Sequence, residues 1–81
     1  MAHIPMDDIR ELWNSIGSNH SWKALAQNLQ SRKGSAQGIS DNLVDVMLFI
    51  SHNEEKAGHP FPQTADQLYE LLNQQYQKMS Q

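Results

Sequence analysis

Apolar positions in this chain recur at helical spacing in four stretches, and none alternates with the period of two that marks a strand. In the first, Met6, Ile9, Leu12, Trp13 and Ile16 share one face. Pro5 suits an opening turn, Asp7, Asp8 and Glu11 complement the positive end of the helix dipole, and Gly17 closes the run. These signals predict a helix over about 5–16, after a frayed start at Met1 to Ile4. Ser18 to Ser21 form a short polar connection, with Ser21 as the cap of a second helix over about 22–32. Its apolar stripe, Trp22, Leu25, Ala26 and Leu29, is narrow, so this helix is expected to pack on one side only.

Six apolar residues crowd into the third stretch: Val44, Val46, Met47, Leu48, Phe49 and Ile50. Ser40 or Asp41 can cap its start, Gly58 can close its end, and Pro60 and Pro62 prevent continuation. A helix over about 41–57 follows. Leu43, Val46, Met47, Ile50 and Ala57 are expected to face the core, with Phe49 widening that face. Val44 and Leu48 lie on the other side, among Asp41, Asp45 and His52. A helix apolar nearly all round is buried on more than one side. That strip is therefore covered either by neighbouring helices or by a second chain.

The segment between the second and third helices, Arg32 to Ile39, holds two glycines and reads as a flexible loop. The His59 to Gln63 connector is stiffened by two prolines, and Phe61 between them is expected to anchor it in the core. Thr64 and Gln67 have capping-box spacing, which opens a fourth helix over about 65–78. Leu68, Leu72, Tyr76 and Met79 line its inner face, flanked by Ala65 and Tyr69. The fold class is all-α: one domain over residues 1–81, a small four-helix bundle of two helical hairpins around the central apolar helix.

Composition narrows the chemistry. At 81 residues the chain is long enough for one small core, and self-association is a plausible source of added stability. With no cysteine, disulfides, thiolate metal sites and thiol catalysis are excluded. No apolar run reaches the about 18 residues of a membrane span, and MAHIPMDDIR lacks a basic segment followed by an apolar one. A cytoplasmic protein is expected. The formal charge of −3 argues against nucleic acid as partner. Lys23, Arg32 and Lys33 are the one basic grouping, and a DNA-binding regulator using them is the alternative reading.

No constellation reaches the standard of a catalytic or cofactor site. His52, Glu55 and His59 could meet in space but lack the spacing of a helical metal motif. Ser51 and His52 are adjacent, which on a helix points them apart. Gly34 to Gly38 lacks the lysine and length of a phosphate loop. We expect no enzyme activity and no cofactor.

Asp41-Asn42-Leu43, with the later Gly58, Pro62, Thr64 and Leu68, resembles the opening of the second helix of acyl carrier proteins. That likeness implies a carrier-like helical domain, but Asn42 stands where the family attaches phosphopantetheine to serine. Ser40 to Leu48 is similar to the second helix of the nuclease-colicin immunity proteins, small acidic helical inhibitors. The tyrosine-pair-proline motif that family uses for binding is absent here.

The leading expectation is a small non-enzymatic protein-binding module, a regulator or inhibitor. It would act through an acidic and apolar face of the third helix: Asp41, Val44, Asp45, Leu48, His52 and Glu55. An apolar centre with a charged rim is the usual anatomy of an interface.

Overall fold

Helix boundaries follow the local capping chemistry. The computed structural model describes residues 3–34 and 38–79, and the helices are α1 (Met6–Ile16), α2 (Trp22–Arg32), α3 (Asp41–Ala57) and α4 (Ala65–Met79). Pro5 sits just outside α1 in extended backbone and so precedes the helix by one residue. Ser21 Oγ accepts from Ala24 N–H and Ser40 Oγ from Leu43 N–H, satisfying orphan donors of α2 and α3. Thr64 Oγ1 accepts from Gln67 N–H as expected. The return bond differs: Gln67 Oε1 takes the N–H of Gln63, one residue before the cap.

The C-terminus of α3 is closed by hydrogen bonds from the two residues that follow Ala57. Gly58 N–H donates to the Glu55 carbonyl and His59 N–H to the Glu54 carbonyl, with Gly58 left-handed at φ +76°. The chain then turns through the prolines into α4.

Among the described residues there are no strands, and each helix packs on two others: α1 on α2 and α4, α3 on α2 and α4. The α2–α3 pair is the most intimate of these. The cross-section is thus a four-cornered bundle, with α1 and α3 on one diagonal. Its radius of gyration, 11.6 Å, matches the about 12 Å of a compact chain this long. One apolar cluster fills it, drawing Ile9, Leu12 and Ile16 from α1, Trp22, Leu25 and Leu29 from α2, Val44, Met47 and Ile50 from α3, and Leu68 and Leu72 from α4.

Three expectations are corrected. Ile4 is not frayed: it is fully buried, and Asn73 of α4 binds its backbone from both sides. Met1 and Ala2 lie outside the described residues. Ile39 is likewise buried, so the end of the α2–α3 loop is a core anchor; residues 35–37 lie outside the described residues. On α2, the stripe of Trp22, Leu25, Ala26 and Leu29 is buried as expected, but it serves two neighbours, α1 and α3.

The buried face of α3 is rotated from the expected one. It runs through Val44, Met47, Ile50, Ser51 and Glu54, while Phe49 and Ala57 are exposed and Leu43, Val46 and Leu48 half-buried. Ser51 and Glu54 are polar, so an apolar pattern skips them. Each has its partner inside the protein: Ser51 Oγ donates to the Met47 carbonyl at 2.7 Å, and Glu54 is paired with the His59 ring. At the end of α4, Met79 is 46% exposed rather than on the inner face.

Candidate functional site

The six residues expected to form a face lie on one helix but divide among different tasks. Val44 has no solvent exposure and belongs to the core, so it has no surface to offer a partner. Leu48 is half-buried against the same core. Asp41 Oδ1 accepts from Gly34 N–H at 3.1 Å and so ties the α2–α3 loop to the start of α3. Asp45 pairs with Lys33 at 3.0 Å, both side chains about half exposed. His52 is exposed. Glu55, also exposed, points toward a cleft between α2 and the end of α3.

The apolar centre of the outer face is Phe49, not Val44 and Leu48. Phe49 is 55% exposed, in the middle of the longest helix. Helical geometry places Asn42, Asp45, His52, Asn53 and Lys56 around it, at one and two turns on either side. All five are exposed. Phe49 was expected at the flank of the buried face. Its exposure follows from the rotation of α3, which Ser51 and Glu54 permit by filling core positions.

A second constellation was not legible from residue types. At the α3–α4 turn, His59 makes three contacts with other elements. Its ring pairs with the carboxylate of Glu54, its N–H caps the Glu54 carbonyl, and its own carbonyl accepts the Trp22 indole N–H at 3.0 Å. Glu54 is nearly buried while the His59 side chain is largely exposed. The His59 ring thus covers the Glu54 carboxyl group from the solvent side. The one sequence signal for this pairing is the five-residue spacing across a helix-closing glycine.

Next to this turn, His20, Ser21, Trp22, Lys23, Glu55 and Phe61 line an open cleft of about 330 Å³. Phe61 anchors the connector as expected. It stacks at 5.8 Å on Trp13, which itself lies 4.3 Å from His20, and it meets Trp22 edge-on at 4.8 Å. These rings fasten the connector to α1 and α2. Among the described residues, no three His, Asp or Glu side chains converge on a point where a metal could bind.

The basic grouping is engaged elsewhere. Arg32 donates to Glu11 at 3.0 Å, to Ser15 at 2.7 Å and to Asn28 at 2.8 Å, clamping the end of α2 to α1. Lys33 is held by Asp45, and Lys23 lines the cleft. Two of the three cations therefore already face acceptors. Among the described residues, no helix is long and apolar enough to cross a membrane. No family model, no curated protein and no solved structure matches the chain. The likenesses to carrier and immunity proteins therefore rest on the quoted residues alone.

Proposed function

We propose that this protein is a small non-enzymatic protein-binding module, a regulator or inhibitor acting through the outer face of α3. The observation that carries this reading is Phe49, more than half exposed at the middle of that helix within a polar rim. The rim retains Asp45 and His52 from the face read in the sequence; the apolar centre moves from Val44 and Leu48 to Phe49. An aromatic anchor inside a polar ring is what binding energy concentrates on in protein interfaces. A photo-crosslinking residue at position 49, and separately at the exposed Gln74 of α4, tests the reading in host cells. A discrete protein adduct at 49 and none at 74 supports it. Equal labelling at both positions, or none at 49, overturns it.

A further inference from the structure

The stripe around Phe49 carries one acid and one base, on opposite sides of it along the helix. Asn42 and Lys56 lie seven residues either side of it, and Asp45 and Asn53 four residues either side. Val46 and His52 complete the pattern at three residues. The acid, Asp45, sits on the N-terminal half and the base, Lys56, on the C-terminal half. Resting on the binding reading above, we infer that the occupant of this face is a second copy of the chain, packed antiparallel across α3 with Phe49 on the two-fold axis.

An isologous interface demands self-complementarity: whatever meets residue i must be met by it in return. Antiparallel packing about Phe49 sets Asn42 opposite Lys56 of the second copy and Asp45 opposite its Asn53. Asp45 then lies within one turn of the second copy's Lys56. The aromatic rings meet at the centre, and the two helix dipoles oppose one another. Parallel packing would instead set Asp45 against Asp45 and Lys56 against Lys56. A basic partner is the weaker fit, because the stripe carries Lys56 as well as Asp45. The Asp45–Lys33 pair is exposed and of the kind worth little to folding, so Asp45 is free to exchange partners.

The chain has no cysteine, so each introduced thiol is unique. Asp45→Cys and Asn53→Cys both retain Phe49. In an antiparallel dimer a mixture of the two should form disulfide dimers at least about ten-fold faster than either alone, because cross-linking needs the Cβ atoms within about 4.5 Å. Sedimentation of the wild type should show the mass rising with concentration from 9.3 kDa toward twice that value. Phe49→Glu should remain monomeric with unchanged helical circular dichroism. A wild type that stays monomeric at millimolar concentration overturns the proposal. So does a mixture that cross-links no faster than the single variants. If a different protein is captured at position 49 while the wild type is monomeric, the dimer falls and the binding reading stands. If nothing is captured and no dimer forms, both fall.

Discussion

Asn73 of α4 holds the backbone of Ile4 by both its polar groups. Ile4 N–H donates to Asn73 Oδ1 at 2.6 Å, and Asn73 Nδ2 donates to the Ile4 carbonyl at 3.2 Å. The same Nδ2 also reaches the Tyr69 carbonyl within α4. A side-chain amide, with its donor and acceptor side by side, matches one extended residue as a neighbouring strand would. The pairing lets the fully buried Ile4 side chain enter the core without leaving its backbone unsatisfied.

Asn73→Ala should therefore cost about 1–3 kcal/mol, since two backbone groups lose their partners together. Denaturant titration measures the loss. Amide exchange at Ile4 should rise more than at Leu25, whose surroundings are unchanged. An equal rise at both would mean that Ile4 is not held by Asn73.

His59 and Glu54 should show an asymmetric loss. His59→Ala strands a nearly buried carboxylate and is expected to cost about 1–3 kcal/mol. Adding Glu54→Leu removes the stranded carboxyl group and should recover part of that loss, because an apolar group can replace a buried pair at little cost. A double variant weaker than His59→Ala alone would contradict the pairing.

Gly58 isolates a backbone effect. Its φ is +76°, and a Cβ built there meets nothing within 4 Å. Gly58→Ala should cost about 1–2 kcal/mol from the left-handed conformation alone. Gly58→Asn should cost less, since asparagine tolerates that region. Chemical melts of the two variants compare them directly.

Met47 and Phe49 reverse the ranking that size suggests. Met47 is fully buried, and Met47→Ala should cost about 2–5 kcal/mol. Phe49→Ala removes a larger side chain from a mainly exposed site and should stay within about 0.5 kcal/mol. Dilute samples keep self-association out of this comparison. Equal losses would return Phe49 to the core.

Asp8 supplies a pH dependence whose sign is defined. Burial raises its carboxyl above the ordinary value of 3.8, and Glu11 and then Asp7 push the same way. The folded state thus holds this proton more tightly than the unfolded state. Its contribution to stability is complete below pH 3.8 and is lost as pH rises through the folded value. The α1 dipole favours the ionised form and acts in the opposite sense. Asp8→Asn should melt no lower than wild type at neutral pH, and any advantage should vanish in acid. An Asn variant less stable at neutral pH would show the dipole winning.

What the sequence determined by itself is what short-range chemistry controls. Four helices, their serine and threonine caps and the Gly58 closure follow from residues within one turn of each other. The inner faces of α1 and α2 were legible because their buried residues are all apolar. Tertiary structure decided the rest, most clearly where a polar group found a distant or unforeseen partner. Ser51 and Glu54 satisfy their polar atoms internally, so α3 turns Val44 inward and Phe49 outward. Asn73 reaches Ile4 from the far end of the chain, and Arg32 finds Glu11 on the neighbouring helix. Hydrophobic periodicity counts a polar residue as outward-facing. Only packing reveals which polar residues are paired well enough to face in.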